Sequence, residues 1–170
     1  QSPYTFAPQL GEMDLYLLRE GRHMQAWKVL GARLKTIDGV TGCLFAVWAP
    51  AVQRVSIIGD FNAWDGRRHP MRCRGESAIW ELFIPGMRAG EAYKYEILGA
   101  HGQLVKKTDP YARQMFPRPE TTSAIPSDLE HAWQDGAWMQ ARAQFDWRHQ
   151  PISIYELHAG SWRRHVDGRF

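Results

Sequence analysis

Between residues 25 and 109 the chain alternates short apolar runs with turn signals, and no stretch of helical period interrupts them. Asp38-Gly39 and Thr41-Gly42 precede the run Cys43-Leu-Phe-Ala-Val-Trp48, which Pro50 ends. Arg54-Val-Ser-Ile-Ile58 runs into Gly59, and Asp65-Gly66 marks a further turn. Ala78-Ile-Trp-Glu-Leu-Phe-Ile84 closes on Pro85-Gly86. Ala92-Tyr-Lys-Tyr-Glu-Ile-Leu98 follows, and residues 99–102 read as a hairpin loop into Gln103-Leu-Val-Lys106. Run lengths and spacing predict an all-β fold, a β-sandwich of about 85–95 residues.

The flanks are patterned differently. Residues 11–19 predict one or two helical turns closed by Gly21, too short to stand alone. Residues 1–24 are therefore expected as a lead-in that packs onto a neighbour. Asp109-Pro110 closes the β-rich block, and Phe116-Pro-Arg-Pro119 breaks regular structure. Ser127-x-x-Glu130 has the form of a capping box, with Leu129, Ala132 and Trp133 able to share one helix face and Gly136 weakening a longer helix. Ile152-Ser-Ile-Tyr-Glu-Leu-His158 predicts a strand ended by Gly160, with no partner strand visible after it. The expected organisation is a lead-in over 1–24, a β-sandwich over 25–115, a connecting segment over 116–150, and the start of a further domain over 151–170. Gln1 in place of Met, and the stop at Phe170, give the chain the look of a piece of something longer.

Composition narrows the function classes. The 170 residues carry 21 Lys+Arg against 18 Asp+Glu, a net charge of +3, which is too small to imply nucleic acid by itself. No apolar run approaches membrane-spanning length, and no signal peptide is visible. The cysteine usage fits a reducing cytosol, and a cytoplasmic location is expected. Two cysteines, Cys43 and Cys73, make neither a zinc set nor a disulfide framework. No metal or cofactor is expected. Eight tryptophans are the compositional anomaly, since an indole suits a core, an interface or a sugar-stacking platform.

The chemistry-bearing candidates follow from that anomaly. No zincin pair, phosphate-cradling glycine loop or nucleophile elbow is present. Glu156 and His158 would share a strand face, as an acid–base pair or simply as a hydrogen-bonded pair. In Gly59-Asp-Phe-Asn-Ala-Trp64-Asp-Gly66, Trp64 is either a sugar platform or packing at a domain interface. Asn62 beside it is a candidate for binding hydroxyls, and Phe61 is expected to plug the core. Alternation sets Lys94 on the opposite face from Tyr93 and Tyr95, as a solvated charge or a donor to hydroxyls. Trp48 and Trp80 are expected to fill the sandwich. Arg67, Arg68, Arg72 and Arg74 are expected as a solvated rim.

These residues carry a family resemblance. The Gly59–Trp64 turn, Trp80-Glu-Leu-Phe-Ile-Pro85-Gly86, Tyr93-Lys-Tyr-Glu96 and Thr108-Asp-Pro110 occur in the order of the glycogen-binding carbohydrate-binding modules that precede α-amylase-family catalytic domains. More specifically, Gly39-Val-Thr-Gly42, Phe45-Ala-Val-Trp-Ala-Pro50, Asn62-Ala-Trp-Asp-Gly-Arg-Arg-His-Pro-Met71 and the run from Ile152 to Arg164 resemble bacterial glycogen branching enzymes, over essentially the whole chain. Those enzymes cut α-1,4-glucan and re-attach the piece through an α-1,6 bond, with two carboxyl groups on a (β/α)8 barrel and retention of configuration. The resemblance implies an immunoglobulin-like β-sandwich that packs on its own barrel, with residues 152–158 as the first strand of a truncated (β/α)8 barrel. The catalytic carboxylates then lie beyond Phe170, and the 170 residues alone are expected to be inactive.

It also implies α-glucan as partner, with Trp64 stacking on glucose, Lys94 on hydroxyls, and Leu104 nearest to where strongly binding modules place a second tryptophan. One stack of about 1–2 kcal/mol, by analogy with base stacking, corresponds to millimolar binding at best. The sequence leaves two alternatives open. One is a standalone, non-catalytic glycogen-binding module or adaptor, for which residues 152–164 have no evident use. The other is a nucleic-acid-binding β-domain, which predicts steep salt dependence.

Overall fold

A computed structural model describes residues 1–117, 119–126, 132–163 and 165–168. The chain divides into two units, Gln1–Leu129 and Glu130–Phe170.

The first unit is mostly strand. One antiparallel sheet has the order β1-β2-β5-β4, with β1 Gly31–Ile37, β2 Val40–Trp48, β4 Arg72–Cys73 and β5 Ile79–Pro85. The other has β3 Val52–Ile58 on one edge of β6 Ala92–Gly99. On the opposite edge, β6 pairs first with β9 Ser123–Ala124 and then with β7 Leu104–Lys107; β8 Gln114–Met115 joins β9. The turn residues Asp38 and Gly39 both take left-handed φ values, 50° and 77°, the tight connection that matches the twist of a hairpin. Residues 69–73 link the sheets. Ile57 N–H donates to the His69 carbonyl at 3.0 Å and Met71 N–H to the Val55 carbonyl at 2.8 Å, before Arg72 and Cys73 pair with β5.

Continuous apolar strands are the signature of burial on both faces, and β2 and β5 show why. Their inward residues Phe45, Val47, Trp80, Leu82 and Ile84 meet Val55, Ile57, Tyr93 and Tyr95 of the other sheet in one core. Their outward residues Leu44, Ala46, Ile79 and Phe83 lie beneath Phe6, Leu10, Leu15 and Leu30. The ring of Phe6 meets that of Phe83 edge-on at 4.7 Å between centroids. Residues 1–24, expected to pack onto a neighbour, thus cover the outer face of this unit's own sheet. The expected short helix forms as α1 Glu12–Arg19 and buries Leu15 there.

The arginine cluster is not a simple solvated rim. Arg72 donates to the carbonyls of Tyr4 and Phe6, and Arg74 donates to the Leu10 carbonyl at 3.0 Å. Both fasten the lead-in; only Arg67 and Arg68 remain outside it, beside Asp65. Trp80 is buried as expected, with its indole N–H on the Ala49 carbonyl at 3.0 Å. Trp48 corrects its expectation: it is 55% exposed, because it falls on the outer phase of β2 at the strand's end, past the cover of the lead-in.

The second unit carries α2 Gly136–Gln144 and the one-turn α3 Ala159–Trp162. The capping box at 127–130 lies outside the described residues. The strand expected over residues 152–158 is not formed: these residues are extended in sequence character but sit in no ladder. A strand's N–H and C=O groups need a neighbouring strand, and among the described residues none pairs with them. The proposed Glu156–His158 pair is likewise not assembled, since His158 Nδ1 bonds Ser161 Oγ at 3.0 Å.

Candidate functional site

The sequence pointed to the Gly59–Gly66 turn and to Lys94 and Leu104. Lys94 and Leu104 lie on the outer face of the β3-β6-β7 sheet, and the turn follows directly from β3. Tyr93, Tyr95 and Ile97 point inward to the core, so Lys94, Glu96 and Leu98 point outward. Register aligns Lys94 with Ile58, just before the turn, and Leu104 with Leu98. The turn folds back over this face at Gly66, where a Cβ would stand 2.0 Å from Glu96 Oε1. Glu96 itself is buried and accepts from Arg54 at 3.0 Å.

Asn62 shapes the turn rather than reaching a ligand, which corrects the expectation for it. It is 1% exposed, and its amide is fully engaged. Oδ1 accepts the Gly59 N–H at 3.0 Å, while Nδ2 donates to the Ile57 carbonyl at 2.8 Å and lies 2.9 Å from His69 Nδ1. Gly59 has no room for a side chain, since a Cβ would meet the Ala92 carbonyl oxygen at 2.2 Å. Around this strut Ala63 and Trp64 both adopt left-handed φ values, 55° and 58°. Such a conformation costs non-glycine residues about 1–2 kcal/mol each, and it persists where surrounding bonds over-determine it. Trp64 N–H bonds the Gly59 carbonyl at 2.9 Å, and Trp64 Nε1–H bonds Asp60 Oδ1 at 2.7 Å. The result is a half-buried indole whose edge is tied down.

The charges around the turn are locally paired. Arg67 holds Asp65 through its guanidinium and backbone N–H, which keeps the Asp65 carboxyl well below the usual range. Burial, with Arg68 nearby, lowers the pKa of His69. Neutral His69 can accept from Asn62; the protonated ring cannot. Because the unfolded histidine titrates near 6.5 and the folded one lower, the unfolded state binds more protons in that window, and stability falls as pH drops below about 6.5. We expect the urea midpoint to decline between pH 7 and pH 5, and His69→Gln to flatten that part of the profile; an unchanged profile in the variant would assign the decline elsewhere.

Lys94 is half-buried and donates to Thr121 Oγ1 at 2.9 Å, which leaves donor capacity for a ligand. Leu104 is 56% exposed and offers an apolar side chain where an aromatic plate would give stacking. The spacing of Lys94 and Leu98 along β6, four residues, corresponds to about 13–14 Å. An extended oligomeric ligand spans such a face; a compact one does not. Among the described residues no group of three or more His, Cys, Asp or Glu is placed to hold a metal ion. No described helix is long and apolar enough to cross a membrane.

Sequence reasoning missed the buried polar cluster under the site. The Tyr93 and Tyr95 hydroxyls both donate to Asp109 Oδ2, at 2.6 and 3.2 Å, and Tyr111 N–H donates to Asp109 Oδ1 at 2.8 Å. The signal was present as Tyr93-Lys-Tyr95 and Asp109-Pro110, but no local pattern says that the two segments meet.

Comparison with known proteins gives the following. Residues 29–112 match the family model described as carbohydrate-binding module 48 (isoamylase N-terminal domain). The chain is 72% identical over 170 residues to the 1,4-alpha-glucan branching enzyme GlgB of Thiobacillus denitrificans, covering 100% of this chain and 23% of that protein. It is 56% identical to the enzyme of the same name from Hydrogenovibrio crunogenus, covering 99% of this chain and 23% of that one. The chain thus spans about a quarter of the length of these curated relatives (23%). Among solved structures, apo pullulanase from Klebsiella pneumoniae is similar at a TM-score of 0.47 and 25% identity, over 58% of this chain and 11% of that one.

Proposed function

We propose that this chain, whose residues 29–112 match the carbohydrate-binding module 48 model and which is similar along its whole length to part of the branching enzymes, is the glucan-binding part of a glycogen branching enzyme. The parent protein transfers α-1,4-glucan chains to form α-1,6 branches in the cytoplasm. This chain contributes an immunoglobulin-like β-sandwich that holds α-glucan and packs on the catalytic barrel, whose first strand is residues 152–158 once neighbouring strands complete its ladder. Its own residues bind and orient; none of them carries the transfer.

The observation that carries this reading is the half-buried Trp64 indole, held at a left-handed φ and bonded at its edge to Asp60, in the turn that follows the Ile58–Lys94 pair. An indole plate takes the C–H face of a glucose ring. The Nζ of Lys94 reaches hydroxyls with the donors that Thr121 leaves over. Leu104 adds apolar contact but no plate, so one stack dominates. Affinity electrophoresis through a glycogen-containing native gel tests it. The chain is retarded, and Trp64→Ala weakens the apparent affinity about 5- to 30-fold, the equivalent of about 1–2 kcal/mol. Mobility of Trp64→Ala identical to that of the parent sequence at every glycogen concentration would sink the proposal.

A further inference from the structure

A second groove lies on the other side of the same unit. It has a volume of about 380 Å³ and runs between the end of α1 and the end of β2. Leu18 and Leu30 form its floor, Trp48 and Tyr111 its aromatic rim, and Arg19 and His23 its polar wall. That size falls within the range of small-ligand sites, and so does the character of the lining: an apolar surface with a few polar groups.

Trp48 is the unusual member. Its outward neighbours Leu44 and Ala46 are buried, yet its indole is 55% exposed. Among the described residues no hydrogen bond engages its indole N–H, whereas the indole N–H groups of Trp64 and Trp80 are both bonded inside the unit. Tyr111 is 37% exposed across the groove. His23 is braced, with Nε2 on Asp14 at 3.0 Å and Nδ1 accepting the Gln25 N–H at 3.2 Å. Arg19 is half-exposed; its guanidinium lies 6.0 Å from the centre of the Tyr16 ring and meets the carboxylates of Glu20 and Glu76 at 3.7 and 3.8 Å, beyond hydrogen-bond distance, so it has donors to give.

We infer that this groove is a second α-glucan subsite, in which a glucose ring stacks on Trp48 and its hydroxyls bond Arg19 and Tyr111. The inference rests on the glucan-binding reading of the first site but uses a different face, that of the β1-β2-β5-β4 sheet. The composition of the groove suits a polyol. A flat indole takes C–H faces, an unbonded N–H and a guanidinium take hydroxyls, and no carboxylate lines the groove to attract a cation. Leu30 of the floor and the rim residues Trp48 and Tyr111 fall inside the stretch matched to the carbohydrate-binding family, while Leu18, Arg19 and His23 lie outside it. A subsite of this kind would let one module hold two glucan strands, or two turns of one.

The test is an indole ¹⁵N–¹H titration of the labelled chain with maltoheptaose. Trp48 and Trp64 signals are assigned from the single variants Trp48→Phe and Trp64→Phe. Movement of the Trp48 signal with its own saturation curve, retained in Trp64→Ala and weakened tenfold or more in Arg19→Ala, supports the subsite. Movement of Trp64 alone overturns it and leaves the first site standing. Movement of Trp48 alone supports it while removing the Trp64 reading. Silence of both overturns both. A Trp48 signal that shifts with protein concentration in the absence of sugar would show a second copy covering the groove, and overturns the inference.

Discussion

Glu81→Ala is expected to destabilise the 1–129 unit by about 3–5 kcal/mol, the cost typical of stranding one member of a buried ion pair. Glu81 is 2% exposed and sits in β5 between the outward-facing Ile79 and Phe83. Its carboxylate accepts the Gln9 N–H at 2.8 Å, the Leu10 N–H at 3.1 Å and Arg74 Nη1–H at 2.9 Å. Removing it leaves two backbone donors without an acceptor. It also leaves a guanidinium only 15% exposed, whose other carboxylate partner, Glu12, is 3.5 Å away and 92% exposed. Each orphaned buried group costs about 1–3 kcal/mol. Glu81→Gln keeps one acceptor oxygen and loses the charge, so a smaller loss is expected. Urea unfolding followed by tryptophan fluorescence measures both, and a loss below about 1 kcal/mol for Glu81→Ala would show that the lead-in holds by apolar contact alone. The functional consequence is local to the second groove. The strap that Glu81 pins continues into α1, and α1 supplies Leu18 and Arg19 to that groove.

The same residue shows where the sequence was readable and where it was not. In Ala78-Ile-Trp-Glu-Leu-Phe-Ile84 the strand was plain from β-prone, apolar residues at strand length. The continuous apolarity also carried the message that both faces are covered, but not what covers the second one. The answer lies about seventy residues upstream, in Phe6 and Leu10. No local pattern links Gln9 to Glu81, because a carboxylate in a strand reads as a solvated position until its partners are seen. β1 went unpredicted for a related reason: its alternation is short and weakly apolar, with only Ala32 and Leu34 on the core face, and Arg33 on the other phase is accommodated by the carbonyls of Lys28 and Val29, which receive its guanidinium. β9 is two residues long and gains its place from pairing with Tyr93 and Ala92, not from propensity.

At the candidate site, residue types were legible and roles only partly so. Lys94 does fall on the face of β6 opposite Tyr93 and Tyr95, as alternation suggested, and the turn that carries Trp64 returns to the same strand at Gly66, beside Glu96. Asn62 was credited with the wrong partner. A polar residue in a turn serves the backbone as readily as a ligand, and only burial at 1% separates the two. Trp48 failed in the opposite direction. Strand phase set it outward, and the cover that buries Leu44 and Ala46 stops short of it.

Tyr93→Phe is expected to cost about 1.5–3 kcal/mol at neutral pH, the range for a hydrogen bond to a charged group, and to cost less in acid. Burial raises the Asp109 pKa, while the Tyr93 hydroxyl at 2.6 Å, the Tyr111 N–H and the Tyr95 hydroxyl each pull it down. A folded pKa above the unfolded value of about 3.9 means that the folded state binds more protons in that window. Stability therefore falls as pH rises from about 4 through the folded pKa, and then levels. Deleting the Tyr93 hydroxyl removes the shortest bond to the carboxylate and pushes that pKa further up. The window widens, and the deficit relative to the parent sequence grows with pH. In an Asp109→Asn background the growth should vanish, because nothing at that position titrates. Urea midpoints at pH 4, 5.5 and 7 for the four sequences of this double-mutant cycle decide the matter. A Tyr93→Phe deficit that is constant across pH would mean that Asp109 stays ionised throughout. The buried tyrosine pair beneath Lys94 would then be a packing feature, with no electrostatic hold on the face that carries the site.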